Sequence, residues 1–161
     1  MLHKLKNRKN EGFTIIEVLI VLAIAGLILL IVLLAVPALQ RNSRNTSIKN
    51  EASGLTGAIS SFEANSDGAK ITSISATGLI SGAANGVTEQ AKLQGTTTVA
   101  TIASAPNAVV THGTLQVILG HSCGSTVTTT GPASSRANAI YYSVETTSAE
   151  TAANNNKCVD S

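Results

Sequence analysis

The sequence predicts an α+β fold, in which one long N-terminal helix packs on a small antiparallel β-sheet head. Apolar residues run from Phe13 to Leu39 and are followed by a stripe of apolar residues at helical spacing that ends at Phe62. The stronger strand patterns, rich in β-branched and aromatic residues, lie in the last third of the chain. One helix followed by several strands is the element order of an α+β domain.

The chain divides by composition into four segments. We predict a leader over residues 1–12, a hydrophobic transmembrane or assembly helix over 13–39, an amphipathic helix over 40–66 and a globular head over 67–161. The leader is basic, with four of the eleven Lys and Arg residues of the whole chain. Positive charge ahead of the first apolar segment keeps that end in the cytoplasm.

The apolar segment has the length of a membrane span. Val18 to Val36 lacks any charged or strongly polar side chain, and as a helix it rises about 28 Å, close to the roughly 30 Å hydrocarbon core. Glu17 is the one charged residue between Phe13 and Leu39. A carboxylate at the centre of a membrane helix costs roughly 2.5–3.5 kcal/mol on insertion scales. We therefore expect Glu17 to be functional.

Two other interpretations of the apolar run stay open. An ordinary secretory signal has a shorter apolar region and ends at a small-residue cleavage site, and Val36-Pro37-Ala38 resembles such a site. The second is a plain single-span anchor that carries a secreted domain. Neither interpretation accounts for Glu17 or for the Gly12-Phe13 junction that precedes the run.

Helical patterning continues beyond the apolar segment. Five apolar residues follow one another at spacings of four, three, four and three, which places them on one helix face. They are Ile48, Ala52, Leu55, Ile59 and Phe62. We predict one helix from about Thr14 to Asn65, ended by the turn-forming residues 65–68. Pro37 should kink it or melt it locally, because proline lacks a donor and clashes with the preceding turn.

The head is predicted to hold several short strands. The segments are Ser73 to Ala76, Thr97 to Ile102, Thr114 to Leu119, Ser125 to Thr130, and Ala139 to Glu145. If the head is exported, Cys123 and Cys158, the only cysteines, favour one disulfide over a redox motif. The residues from Ala152 to Cys158 then form a flexible tail that this bond pins. Zinc is the alternative, but His3, His112 and His121 lack the usual ligand spacing.

The sequence carries no recognisable catalytic motif. Nucleophile-elbow, phosphate-loop, dinucleotide-binding and zinc-protease patterns are all missing. From Phe13 onward seven Lys and Arg oppose eight Asp and Glu, a net charge of −1, so no specific nucleic-acid surface is predicted. Asn45-Thr46-Ser47 fits an N-glycosylation acceptor pattern. We expect no enzyme activity, no cofactor and no metal.

The junction Glu11-Gly12-Phe13-Thr14-Ile15-Ile16-Glu17, placed between a basic leader and a long apolar run, resembles the class III signal of type IV pilins. The resemblance implies that a prepilin peptidase cuts between Gly12 and Phe13 and that the new Phe13 amine is methylated. It also implies that Glu17 pairs with the amine of a neighbouring subunit and so sets the register of assembly. The alternative for Glu17 is that its side chain reaches the lipid headgroups.

Two features outside the junction accompany this resemblance. Pilins commonly carry a proline in this part of the helix, although Pro37 lies three residues further on than in the most familiar pattern. Many pilins also close a C-terminal loop with a cysteine pair, as Cys123 and Cys158 would do.

The function implied is that of a structural subunit of a type IV pilus. Such a subunit waits in the cytoplasmic membrane as a single-pass protein with its N-terminus inside. After cleavage the pilus assembly machinery incorporates it into an extracellular homopolymer, with roles in adhesion, twitching motility or DNA uptake left open. The alternatives are a pseudopilin of a type II secretion or competence system, and a membrane-anchored binding protein that never polymerises.

Overall fold

The computed structural model describes residues 12–83, 86–94, 97–146 and 151–161. It contains the long helix that the sequence predicts: α1 spans Ile15–Asn65, 51 residues. The described chain forms two compact units, one up to Leu39 and the other from Gln40 to Ser161. Of the predicted leader only Gly12 lies within the described residues.

The second unit contains two β-sheets. β1 (Ile71–Ile74), β2 (Leu79–Gly82) and β3 (Thr88–Gln90) form an antiparallel three-stranded sheet in the order β1-β2-β3. The second sheet has the order β4-β5-β6-β7, from β4 (Thr98–Thr101), β5 (Thr114–Cys123), β6 (Thr130–Ser143) and β7 (Asn156–Asp160). A short helix, α2 (Ala152–Asn155), leads into β7. The architecture is α+β, as predicted.

The sheets depart from the prediction of one antiparallel sheet. β4 pairs with β5 in parallel, so the four-stranded sheet is mixed. The predicted strand from Ser125 to Thr130 was wrong, because residues 125–129 form the turn between β5 and β6. In that turn the Thr129 amide donates to the Thr126 carbonyl at 3.1 Å, and the Thr126 amide donates to the Thr129 hydroxyl at 3.1 Å. Local side chain to backbone bonds of this kind compete with strand pairing.

The tail was also predicted wrongly. Where a flexible segment was expected, α2 and β7 occur, and β7 pairs antiparallel with β6 over five residue pairs from Ser143↔Asn156 to Ala139↔Asp160. The chain end is thus the edge strand of the larger sheet. Two short strands, β2 and β3, had no counterpart in the prediction.

The predicted apolar stripe on α1 is confirmed. All five of its residues, Ile48, Ala52, Leu55, Ile59 and Phe62, are at most 7% exposed. They belong to the larger core cluster, which also contains Ile74 and Ile80 of the small sheet and Val99, Leu115, Val117, Ile140 and Tyr142 of the large one. Burial of each large apolar side chain contributes about 1.5–3 kcal/mol, so this face is the main attachment of the helix to both sheets.

A second, smaller cluster covers the other face of the large sheet. Successive residues of β6 point to opposite faces: Ile140 and Tyr142 join the cluster on the helix side, whereas Ala139 and Tyr141 join the second cluster. Ala105 and Val110, from the connection between β4 and β5, complete that cluster together with Ile118. Burial raises the pKa of both tyrosines above the ordinary value.

Candidate processing and assembly site

The predicted cleavage junction is open in the structure. Gly12 and Phe13 precede the helix without regular secondary structure, and both are exposed. The Phe13 side chain is 86% exposed, and no atom lies within 4 Å of the position a Cβ would take at Gly12. Among the described residues, therefore, nothing covers the backbone between these two residues.

Thr14 and Glu17 form a capping box at the start of α1. The Glu17 carboxylate accepts from the Thr14 amide at 3.3 Å and from the Thr14 hydroxyl at 3.2 Å. In return the Glu17 amide donates to the Thr14 hydroxyl at 3.3 Å. This arrangement satisfies amide groups that have no partner inside the helix, and it places a negative charge at the positive end of the helix dipole.

The capping role of Glu17 was missed in the sequence, where its charge alone was considered. The local signal was present, because Thr-x-x-Glu before an apolar run is the pattern of a capping box. The predicted pairing of Glu17 with the amine of a neighbouring subunit requires a second chain, and it stays a prediction. Within this chain the Glu17 carboxylate lies beside Thr14, and Glu17 is about one helical turn from Phe13 in the sequence.

The apolar part of α1 presents its side chains outward all round. Nearly every large apolar residue from Phe13 to Leu39 is exposed, and the most apolar stretch has no buried residue. By length and composition this helix is able to cross a membrane. Gly26 has open space around it, and small residues of this kind permit the close approach of another helix.

α1 continues through Pro37 without a break. The local melting that was one expectation for this residue does not occur. A kink at Pro37 stays a prediction.

The amphipathic half of α1 is fastened to the head by polar contacts near its start. Arg44 forms a bidentate ion pair with Glu145, with both nitrogen–oxygen distances at 2.6 Å. The Asn45 side chain accepts from the Glu145 amide at 2.7 Å and donates to the Glu145 carbonyl at 2.9 Å. Hydrogen bonding to Arg44 lowers the pKa of the Glu145 carboxyl and raises that of the guanidinium.

The Asn45-Thr46-Ser47 pattern of an N-glycosylation acceptor lies at this contact. The Asn45 side-chain nitrogen, to which a glycan would be attached, already donates its hydrogen bond to the Glu145 carbonyl. A glycan would therefore displace this hydrogen bond.

The structure joins Cys123 and Cys158 in a disulfide, with the two Cα atoms 6.0 Å apart. The bond ties the end of β5 to β7, across the strand β6 that lies between them. Asp160 adds a second link, since its carboxylate accepts from the Cys123 amide at 2.5 Å. Among the described residues no group of three or more His, Cys, Asp and Glu side chains is placed to hold a metal ion.

Two asparagines of the tail are structural residues that the sequence analysis missed. Asn155 and Asn156 are fully buried. Asn156 accepts from the Val110 amide at 2.9 Å and donates to the Ala108 carbonyl at 3.0 Å, which holds the connection between β4 and β5 over the second cluster. Asn155 donates to the Val144 carbonyl at 3.0 Å. The sequence analysis had predicted a flexible tail at this place.

Comparison with known protein families adds one match. Residues 7–33 match the family described as the prokaryotic N-terminal methylation motif, which is the class III signal peptide of type IV pilins. No curated protein and no solved structure matches the chain. The matched segment contains the open Gly12-Phe13 junction, the Thr14–Glu17 capping box and most of the exposed apolar helix.

The matched motif is that of pilin-like precursors, a group that includes prepilins and pseudopilins. In this chain the motif overlaps a hydrophobic N-terminal helix that fits anchoring in a membrane, and the α+β unit of residues 40–161 is closed by a disulfide. The motif indicates a structural protein rather than an enzyme.

Proposed function

We propose that this protein is a structural subunit of a type IV pilus. It enters the cytoplasmic membrane through its apolar helix with its N-terminus inside. A prepilin peptidase then cleaves it after Gly12, Phe13 is methylated, and the pilus assembly machinery polymerises the mature chain into a surface fibre. The observation that carries this proposal is the methylation motif on a helix whose apolar side chains are exposed from Ile15 to Leu39.

Burial of that apolar surface supplies the driving force for assembly. An isolated soluble chain would not leave so many large apolar residues in water, because contiguous apolar patches of this size mark contacts with lipid or protein. In the membrane, lipid covers them. In a fibre, the helices of neighbouring subunits would cover them instead, with Ala23, Ala25 and Gly26 permitting close approach.

Glu17 would give assembly its register. The mature N-terminus has an amine whose pKa is ordinarily about 7.7–8 and which is mostly protonated at neutral pH. A carboxylate held in lipid is stabilised by such a partner, although the net gain after both groups lose their hydration is small. The apolar contacts would thus supply most of the cohesion, whereas the ion pair would select one relative position of neighbouring helices.

The test is mass analysis of material sheared from the cell surface. A fibre subunit should begin at methylated Phe13 and carry the Cys123–Cys158 bond. The Gly12→Val variant should remain at full length in the membrane, since a branched side chain obstructs the backbone at the junction, while Gly57→Ala should be processed normally. Recovery of a chain that begins at Met1 or Leu39 from the surface would contradict the proposal. Processed protein that is absent from the surface but required for protein secretion would identify a pseudopilin.

A further inference from the structure

Arg41 lies on α1 two residues beyond Leu39, where the apolar run ends. The residue is half-buried, and within the described part of the chain its guanidinium forms no hydrogen bond and no ion pair. A guanidinium carries a permanent positive charge and five N–H donors in a fixed fork. These donors match the oxygens of a phosphate or a carboxylate, so this side chain is able to bind an anion.

The charges around Arg41 do not cancel its own. Arg44 and Glu145 neutralise each other in their bidentate pair. Arg41 and His112 also lie near this carboxyl, because their positive charge lowers the pKa of Glu145 in addition to the larger effect of the Arg44 hydrogen bond. The first carboxylate beyond Arg41 on α1 is Glu51, which is buried and about 15 Å further along the helix. With His112 counted as neutral, the positive charge of Arg41 is therefore left over.

The length of the chain confines Arg41 to the surface of a membrane that the apolar run crosses. Two residues span at most about 7 Å even when they are fully extended, so Arg41 lies within this distance of Leu39. The headgroup layer on each side of a bilayer is about 5–8 Å thick, the difference between the hydrocarbon core and the whole bilayer. Lipid phosphates occupy this layer, and they surround the chain at the depth of Arg41.

We propose that Arg41 binds the phosphate of an anionic phospholipid through charge-assisted hydrogen bonds. The inference rests on the membrane anchoring in the proposed function, and it adds a preference for anionic lipid at the end of the span next to the head. A carboxylate of a second copy would satisfy the same guanidinium. Lipid phosphate is favoured because every anchored chain meets it at this depth, whereas a second copy is present only in an assembly.

The test places the full-length chain in bicelles of phosphatidylcholine, part of which is replaced stepwise by phosphatidylglycerol at constant ionic strength. NMR resonances of the Arg41 Nε–H group and of the Glu145 backbone amide report binding at this place. Such local probes are needed because the basic leader also attracts anionic lipid. Both resonances should shift and reach saturation as the fraction of phosphatidylglycerol rises. Inorganic phosphate, added to phosphatidylcholine bicelles at the same ionic strength, should cause far smaller shifts.

Matched variants locate the binding site. Arg41→Gln should raise the half-saturating fraction of phosphatidylglycerol about fivefold, the effect expected for loss of one basic residue at an anionic surface. Arg41→Lys keeps the charge and should retain most of the binding. Arg136→Gln makes the same change beside Gly68, just beyond the other end of α1 and roughly 36 Å from Arg41 along the helix. This control should bind as the wild type does.

Three results would overturn the proposal. The first is the same titration curve for Arg41→Gln and the wild type, and the second is equal shifts with inorganic phosphate. The third is a shift that grows with protein concentration at fixed lipid composition, which would assign the guanidinium to a carboxylate of a second copy. Flotation with phosphatidylcholine vesicles tests the anchoring separately. A chain that does not float contradicts the proposed function as well, whereas a chain that floats without an Arg41-dependent lipid preference contradicts this inference alone.

Discussion

Glu145 and Arg44 lie 101 residues apart in the sequence and meet in a bidentate ion pair. The Asn45 side chain also forms two hydrogen bonds with the backbone of Glu145, since it accepts from the amide and donates to the carbonyl. Glu145, two residues beyond the end of β6, is therefore held both through its carboxylate and through its backbone. These contacts fix the start of the amphipathic half of α1 on the head, while the apolar stripe fixes the remainder.

The ion pair makes stability depend on acidity. The pKa of Glu145 is lowered in the folded protein, chiefly by the Arg44 hydrogen bond. Its stabilising contribution is hence complete above the ordinary pKa of a glutamate and is lost as the pH falls through the lowered value. Urea unfolding of the full-length chain in detergent, measured between pH 7 and pH 2, should show a smaller acid-induced loss of stability for Glu145→Gln than for the wild type. Arg44→Gln should have the same effect, and the double variant should add nothing; additive effects would contradict the pair.

Asn156 should contribute more to stability than its polarity suggests. The Asn156→Ala change removes the hydrogen bonds to the Val110 amide and to the Ala108 carbonyl. We expect the free energy of unfolding to fall by about 1–3 kcal/mol, the cost of leaving the amide of the buried Val110 unpaired, because the carbonyl of the exposed Ala108 is able to bind water instead. Asn107→Ala, at an exposed position in the same connection, should change it by less than about 0.5 kcal/mol. Equal denaturation midpoints for the two variants would refute this role.

The disulfide should stabilise the head mainly because it reduces the conformational entropy of the unfolded chain. Its cysteines are 35 residues apart, and the chain-entropy model gives about 4 kcal/mol for a loop of that length. The Cys123→Ser, Cys158→Ser double variant should therefore lower the thermal unfolding midpoint strongly, and reduction of the wild type should produce a similar shift. The reducing agent should leave the midpoint of the double variant unchanged. A shift in that variant would show that reduction acts elsewhere.

Substitution of Gly82 and of Gly57 by alanine should change the free energy of unfolding in opposite directions. A Cβ at Gly82 would overlap the Phe62 ring and the Lys70 carbonyl, so Gly82→Ala should destabilise the head by about 1–3 kcal/mol or more. Gly57 is an exposed helix residue with open space around it, and Gly57→Ala should stabilise α1 by up to about 1 kcal/mol. Chemical denaturation of both variants measures the contrast. A destabilising Gly57→Ala would show that its surface is covered in the folded protein.

Local patterns in the sequence determine the helix, whereas the sheets depend on distant contacts. The buried face of α1 follows from spacing alone, because a stripe from Ile48 to Phe62 has only one helical arrangement. The parallel pairing of β4 with β5 joins two separate segments of the chain, and no pattern within either segment indicates that they pair or in which direction. Asn155 and Asn156 look like exposed residues until β7 brings them beside their backbone partners. The capping box of Thr14 and Glu17 was predictable from local sequence, because the Thr-x-x-Glu pattern is complete, but it was missed.

Thr14 allows the two roles of Glu17 to be separated. Thr14→Val removes the hydroxyl of the capping box, which contributes about 0.5–2 kcal/mol to a helix end, and it leaves the Glu17 carboxylate in place. Glu17→Gln keeps a side chain that is able to cap, but removes the charge. If Glu17 acts by pairing with an amine of a neighbouring subunit, Glu17→Gln should be inserted and processed yet yield few sheared fibres, whereas Thr14→Val should assemble nearly normally. Immunoblots of sheared and membrane fractions measure both. Should Thr14→Val lose fibres to the same extent while Glu17→Gln retains them, then the cap, and not the charge, is what assembly requires.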